Sequence, residues 1–372
     1  MERIKTAVIG LGFIGVAHID ALKRVPGVDV VAVVDAAGAA EKAESLDVPQ
    51  AFADYREMIE VCHPDCIHIC TPNRLHKEIA IYALEHGIHV ICEKPMALDA
   101  KEARQMVEAA RKSGKVNAVN FHNRFYPVNY QLRTMIANGE LGEIQNIHGA
   151  YLQDCFLNDT DFNWRMLSQN SGKTRVIADI GSHWIDLAEY LLGQRVTEVF
   201  AEIQQIYPTR KRKTAEGYEE TAIDTEDSAF LLFRFDNGAV GNLTVSQTVA
   251  GKKNQTVYTV SGTKMSAFWD SEQIGDLKLG LQDEANKVLT KDPLLLHPDA
   301  AAITAYPGGH VEGFPDAFRQ NFTAIYAAIR GDQKSNRFAT FADGLHQMQI
   351  CDKLYESAQL GKWVKLDDEG NT

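Results

Sequence analysis

Three glycines in the run Gly10-Leu11-Gly12-Phe13-Ile14-Gly15 close a short apolar strand and open a helical pattern. That context constrains the chain more than any other feature, because strand, tight turn and helix must follow one another directly. The first glycine permits the turn, the second lets the backbone approach a pyrophosphate, and the third lets the helix lie against the strand. The free N–H groups and positive dipole end of the helix suit phosphate oxygens, so Gly10, Gly12, Phe13, Ile14 and Gly15 are assigned to a dinucleotide. Asp35 ends the next β-branched run 20 residues after Gly15, where a carboxylate accepts hydrogen bonds from the adenosine ribose. Ala36 and Ala37 follow, with no Arg or Lys to neutralise a 2′-phosphate. NAD is therefore expected in preference to NADP.

Short β-branched runs alternate with helical patterns as far as about Phe121, which is the signature of βαβ units and a parallel sheet. The strands expected are Thr6 to Ile9, Asp29 to Val34, Cys66 to Cys70, His89 to Cys92 and Val116 to Phe121. Asp54 and Glu57 form a capping-box pair, and Gly87 is a helix stop. Beyond Tyr126 the period changes to two: Ala229 to Phe235 and Ala239 to Val245 flank the turn Asp236-Asn237-Gly238, the pattern of a hairpin. Ile144 to Gln153, Val196 to Gln204 and Gln255 to Ser261 read as further strands, and Pro315 to Arg330 as a helix before Gly331. The expected architecture is an α/β domain with a parallel sheet over residues 1–125. An α+β domain with a large, mostly antiparallel sheet follows over 126–372.

At 372 residues the chain is long enough for two cores. Lys and Arg number 38 against 50 Asp and Glu, a formal net charge of -12, which disfavours nucleic acid. The N-terminus lacks the h-region of a signal peptide and no stretch is apolar enough to span a bilayer, so a cytoplasmic protein without a membrane partner is expected. Six cysteines, Cys62, Cys66, Cys70, Cys92, Cys155 and Cys351, are too sparse for a disulfide framework. Three of them, with His63 and His68, invite a metal reading, but Cys66 to Cys70 is a buried strand with alternating faces, and no metal is expected. Ser171-Gly172-Lys173-Thr174 lacks the upstream glycine of a phosphate loop, since position 167 is Leu. The basic run Arg210 to Lys213, within residues 207–227, reads as a solvated loop or subunit-contact arm.

Two more strand ends carry polar groups: Thr71-Pro72-Asn73 with His76, and Glu93-Lys94-Pro95. Ligands of open parallel sheets lie beyond the carboxyl ends of the strands, so Thr71, Pro72, Asn73, His76, Glu93 and Lys94 are candidates for the nicotinamide half. Together with the glycine loop and the later Asp179-Ile180-Gly181-Ser182-His183-Trp184-Ile185-Asp186, these motifs resemble the Gfo/Idh/MocA family (glucose-fructose oxidoreductase, inositol dehydrogenase, rhizopine catabolism). The likeness is sharp over residues 1 to about 125 and around 176–193. It implies a Rossmann domain, then an open-faced sheet used in oligomerisation, hence a homodimer or homotetramer, with the active site between the domains. It also implies that Lys94 is the motif lysine, Asp179 its acidic partner and His183 the acid/base.

The residue types agree in kind with that implication. Oxidising an alcohol requires removal of the hydroxyl proton as hydride leaves carbon, and histidine is the natural base near neutral pH. An ammonium group from Lys94 would favour the developing negative charge on oxygen. With a helix starting near Ser182, His183, Asp186 and Tyr190 share one edge, while Trp184, Leu187, Ala188 and Leu191 form a buried stripe. Asn120, His122, Asn123 and Arg124 close the fifth strand, and Asn163-Trp164-Arg165 and Tyr306-Pro307-Gly308-Gly309-His310 offer stacking and hydrogen-bonding groups. Of these, Asn123 and Arg165 are assigned to the cofactor, and His122, Arg124, Trp164, Arg165 and His310 to the substrate beside Lys94, Asp179 and His183. The expected activity is NAD-dependent oxidation of a secondary alcohol on a cyclic polyol or pyranose, such as an inositol, glucoside or anhydrosugar. An NAD-retaining redox-assisted glycosidase and a non-catalytic dinucleotide sensor are the alternatives.

Overall fold

Alternation of β-branched runs with capped helices produces a regular wind in the N-terminal part of the computed structural model, which describes residues 3–332 and 337–366. The elements are β1 (Ile4–Ile9), α1 (Phe13–Lys23), β2 (Val28–Val34), α2 (Ala39–Ser45), β3 (Ala51–Phe52), α3 (Tyr55–Cys62), β4 (Cys66–Ile69), α4 (His76–Glu85), β5 (His89–Cys92), α5 (Ala100–Ser113) and β6 (Asn117–Val119). All six strands are parallel, in the order β3-β2-β1-β4-β5-β6. The order reverses between β1 and β4, which opens a crevice at their carboxyl ends. Strand β3 was not anticipated, because two residues are too few to show a period. Asp54 caps α3, accepting the Arg56 N–H at 2.7 Å, one residue short of the capping-box position.

The remaining elements are α6 (Pro127–Ala137), β7 (Ile144–Leu152), α7 (Ser168–Ser171), α8 (Ser182–Leu192), β8 (Val196–Gln204), β9 (Thr209–Thr214), β10 (Gly217–Ala222), β11 (Ser228–Phe235), β12 (Val240–Ser246), β13 (Gln255–Gly262), β14 (Ser266–Asp270), β15 (Asp276–Gly280), β16 (Lys287–Thr290), α9 (Pro298–Ala302), α10 (Phe314–Ile329), α11 (Phe341–Leu360) and β17 (Val364–Lys365). Nine of the strands form one sheet, β16-β15-β14-β13-β7-β12-β11-β8-β17, antiparallel except where β12 runs beside β7. The hairpin β11–β12 turns through Gly238 at φ 86°, and inward residues of β11 such as Leu231 and Phe233 are buried while Phe230 and Leu232 are exposed. Trp184 of α8 lies under this sheet, donating its indole N–H to the Val257 carbonyl at 2.9 Å. Gly149 leaves the room it needs, since a Cβ there would sit 2.7 Å from the indole nitrogen.

By contacts the chain divides into Met1–Phe125 with Gly313–His346, and Tyr126–Glu312 with Gln347–Thr372. A single cut at 125 therefore leaves out α10 and the first turns of α11, which complete the first unit. The reason is packing: Phe318, Phe322 and Tyr326 on α10 are fully buried against His18 of α1 and His68 of β4. A helical stripe shows that one face is buried but not which sheet buries it. Farther on, Ala339 bridges to Val119 on β6, and the Phe341 N–H donates to the Asn117 side chain at 2.9 Å.

Two other expectations change. The 207–227 segment is a two-stranded antiparallel hairpin, β9–β10, and its Arg210 is 1% exposed and paired with Asp227 at 2.7 Å, not a solvated basic group. The edge of α8 that carries His183, Asp186 and Tyr190 is not set apart by exposure: His183 and Asp186 are buried like the apolar stripe, and Tyr190 is half-buried. Among the described residues, no helix is long and apolar enough to cross a membrane.

Candidate active site

The glycine loop in the first unit is built by contacts that no larger residue allows. A Cβ on Gly15 would lie 1.9 Å from the Gly10 carbonyl oxygen, and one on Gly10, at φ 93°, would lie 2.6 Å from the Cys70 carbonyl oxygen. At Gly12, by contrast, nothing stands within 4 Å of that position, so the backbone is open to a ligand. Gly12 is the N-cap of α1 and no side chain caps the helix, which leaves its first N–H groups for an anion. Phe13 is 78% exposed beside them. Asp35 braces the loop: its carboxylate accepts the Leu11 N–H at 2.8 Å and the Ala37 N–H at 3.0 Å. Partial burial would raise its pKa, but these two N–H groups and Lys42 outweigh burial and hold it below the usual carboxylate range.

The residues next to Asp35 do not reveal Lys42, which the chain brings back to it only by folding into α2. It stands on α2 with Nζ 3.1 Å from the Asp35 carboxylate. A cleft of about 210 Å³ adjoins Asp35, lined also by Gly10, Tyr55, Thr71, Pro72 and Glu78. Tyr55 closes its far side, donating to Glu78 at 2.9 Å. The Thr71 hydroxyl oxygen is buried without a hydrogen-bond partner. Open glycine backbone, uncapped helix, ribose-level carboxylate and orphaned hydroxyl together fit a dinucleotide.

Not every residue assigned to the cofactor lines this crevice. His76 is buried, with its ring nitrogens 3.0 and 2.8 Å from the Pro95 and Thr71 carbonyl oxygens, so it ties two strand-end loops together. Asn73 is likewise buried. Glu93 turns inward: its Oε1 lies 2.9 Å from His18 Nε2 and accepts from the Asn120 amide, whose oxygen accepts from Asn321 at 2.8 Å. Burial alone would raise the Glu93 carboxyl, but the His18 bond and charge, Lys94 and Asn120 bring it down to about 2. His18 continues through His68, 2.8 Å away, to the Tyr326 hydroxyl at 3.0 Å. Glu93 and His76 thus support the loop that carries Lys94 rather than face outward. Lys94 itself is half-buried and donates its backbone N–H to Glu93 at 3.2 Å.

His122, Asn123 and Arg124 form a short 3₁₀ turn and are all buried. His122 packs against Phe314 and Phe318, and burial pushes its pKa down to about 3, so the ring is uncharged at neutral pH. Arg124 lies 3.9 Å from Asp343. The polar letters at a strand end did not reveal that all three are buried.

The second unit gathers the other group. Asp179 sits in a wide helical turn, Ile177–Gly181, that runs directly into α8, so His183 follows one turn later. The Gln247 amide donates to Asp179 Oδ2 at 3.1 Å and to Gln153 at 3.0 Å. Arg165 Nε stands 3.9 Å from Asp179 Oδ1, with its guanidinium 4.5 Å above the Trp164 ring. Asn163 shapes that loop by accepting the Arg165 N–H at 3.1 Å. The Tyr151 ring is 6.5 Å from that of His183, and burial raises its hydroxyl far above neutral, so it stays protonated. Asp179, His183, Trp164 and Arg165 are thus neighbours as expected, whereas Gln247, Gln153 and Tyr151 were missed: each looks like any strand residue until the strands pair. His310 is exposed, with Nδ1 3.2 Å from the Gly308 carbonyl of its own loop. No group of three or more His, Cys, Asp or Glu side chains that could hold a metal occurs among the described residues.

Residues 4–121 match the family described as an oxidoreductase family with an NAD-binding Rossmann fold, and residues 130–268 match the Gfo/Idh/MocA C-terminal domain. The chain belongs to the Gfo/Idh/MocA oxidoreductase family. One family member similar to it is the levoglucosan dehydrogenase of Pseudarthrobacter phenanthrenivorans, 28% identical over 98% of this chain and 99% of that protein. Another is the D-glucoside 3-dehydrogenase of Escherichia coli, 34% identical over 64% of this chain and 68% of that protein. Among solved structures, apo levoglucosan dehydrogenase superposes with a TM-score of 0.91 at 27% identity, covering 100% of both chains. Its complex with NADH and levoglucosan superposes with a TM-score of 0.89 at 27% identity, covering 99% of this chain and 100% of that one.

Proposed function

We propose that this protein is an NAD-dependent dehydrogenase that oxidises a secondary alcohol of a cyclic polyol or pyranose, an inositol, glucoside or anhydrosugar. The observation that carries the reading is the joint presence of a dinucleotide cradle and a complete Lys94, Asp179 and His183 set in a chain of this family, whose similar members are named for sugar and glucoside oxidation. When bound, the nicotinamide supplies the hydride acceptor. Gly10 to Gly15 hold the pyrophosphate, Asp35 the adenosine ribose, and Thr71 and Pro72 stand on the adjoining strand end. In this reading His183 takes the hydroxyl proton, Lys94 stabilises the charge that grows on the substrate oxygen, and Asp179 with Arg165 orients the ring.

A panel of inositols, aldoses, glycosides and anhydrosugars with NAD and NADP, followed by nicotinamide absorbance, tests it. Net NADH formation is the expected result. Sugar hydrolysis without net NADH would make the protein a redox-assisted glycosidase, and dinucleotide binding with no turnover of any sugar would make it a sensor.

Cofactor choice gives a separate prediction. Asp35→Ser removes a negative charge that opposes a 2′-phosphate and also releases Lys42 from its ion pair. The ratio of kcat/KM for NADP to that for NAD should therefore rise by about 10- to 100-fold, the scale of one charge-assisted hydrogen bond. A wild-type enzyme that already prefers NADP would overturn the role given to Asp35. The exposed Phe230, Leu232 and Val240 on the outer face of β11 and β12 also favour a homo-oligomer, since such a patch invites association. Light scattering that returns a monomer at micromolar concentration would remove that part of the proposal.

A further inference from the structure

Four consecutive residues between the β9–β10 hairpin and β11, Asp224, Thr225, Glu226 and Asp227, each grip the stretch from Met166 to Ile177. Asp224 accepts the N–H and the hydroxyl of Ser168 at 2.8 and 2.5 Å. Thr225 donates its hydroxyl to the Met166 carbonyl at 3.1 Å. Asp227 pairs with the guanidinium groups of Arg175 and Arg210 and accepts the Ile206 and Tyr207 N–H groups at 2.8 and 3.2 Å. The Glu226 carboxylate accepts the Arg175 N–H at 3.0 and 2.9 Å and the Ile177 N–H at 2.9 Å. The Glu226 carbonyl accepts from Arg175 Nε and Nη2 at 3.1 and 2.7 Å.

Ile177 is where the turn bearing Asp179 begins. The first N–H groups of a helical turn find no acceptor inside it, and a carboxylate placed there is matched both to them and to the positive dipole end. Asp179 in turn donates its N–H to the Arg175 carbonyl at 2.7 Å, so any rotation of Arg175 to Ile177 carries Asp179 with it. Glu226 and Asp227 are 3% and 0% exposed. Buried carboxylates cost stability unless fully bonded, and here the bonds are to backbone N–H groups that no apolar side chain could satisfy. Geometry is what the charges supply.

We infer that Glu226 is a positioning residue for the reaction: it fixes the start of the Ile177–Gly181 turn and through it the place of Asp179 and His183. The inference rests on the dehydrogenase reading for its effect on turnover, but not for its effect on the turn.

Glu226→Gln keeps the shape and removes one acceptor, so an N–H of the turn meets an amide NH₂. In that variant kcat per NADH-binding site should fall about tenfold, about 1.4 kcal/mol in the barrier, with NADH affinity unchanged. Backbone amides of residues 175–181 should exchange faster with deuterium than in the wild type, while β7 and β11 keep wild-type protection. Asp224→Asn, which loosens the same stretch at Ser168 only, should leave kcat per site unaltered. A merely structural role would loosen the second unit as a whole, so that β7 and β11 would exchange faster along with residues 175–181, and that outcome overturns the inference. If Glu226→Gln is not recovered folded, Glu226→Asp, which keeps the charge but withdraws it by one methylene, is read in the same way. Wild-type exchange at 175–181 together with wild-type kcat per site overturns the inference. A wild-type protein that oxidises no sugar overturns the dehydrogenase reading, and amide exchange alone then decides whether Glu226 holds the turn.

Discussion

Replacing His183 by alanine should lower sugar oxidation by about 10²-fold or more, the usual scale for a positioned acid/base, while leaving NAD affinity near wild type. The separation of effects follows from the sequence of contacts. The residues proposed to hold the dinucleotide, Gly10 to Gly15, Asp35 and Thr71, belong to the first unit, and His183 belongs to the second. A base must be uncharged to accept the hydroxyl proton. An acidic limb in the oxidative pH–rate profile that comes from this base should therefore vanish in the variant. Tyr151 cannot substitute as a base, because burial raises its hydroxyl far above neutral and it keeps its proton. If His183→Ala instead keeps near-normal turnover and the same acidic limb, the base lies elsewhere, with Asp179 the next candidate.

Lys94→Ala should be comparably severe, about 10²- to 10³-fold in kcat, which is the range seen when one group stabilising a developing oxyanion is removed. In the proposed reaction Lys94 acts only as charge grows on the substrate oxygen, so its loss should appear in the chemical step more than in substrate KM. The side chain is placed by a loop that is anchored from below: Glu93, buried and ionised, accepts the Lys94 backbone N–H and is itself held by His18 and Asn120. Steady-state and single-turnover rates with a good substrate check this directly. A variant whose kcat stays within about threefold of wild type, less than about 1 kcal/mol in the barrier, would remove Lys94 from the reaction.

The glycine loop and the strand-end motifs were legible because their parts are short and local. Glycines that must make a turn, a carboxylate at a strand end and a lysine before proline lie within one βα connection each, and the residues themselves state the constraint. The misreadings have a common cause. Glu93 and His76 look like cleft residues because they follow strands. Which way a polar side chain turns there depends on what covers the strand end, and for Glu93 the cover includes Asn120, which is bonded in turn to Asn321 of α10, far away in the chain. The burial of His122 was hidden for the same reason, since the phenylalanines that enclose it arrive only with α10.

The amino-acid order by itself determined the parallel wind of the first sheet, the antiparallel character of the second, the dinucleotide loop and the family, because helical and strand periods and glycine sterics act between residues near in sequence. Only the tertiary structure decided that α10 completes the first unit, that Lys42 meets Asp35, that Gln247 holds Asp179, and that Asp224 to Asp227 grip the turn before it. Those contacts join side chains dozens of positions apart, or on different elements, through sheet pairing and packing. No local period records such pairings, since each residue type taken alone is equally at home on a solvated surface.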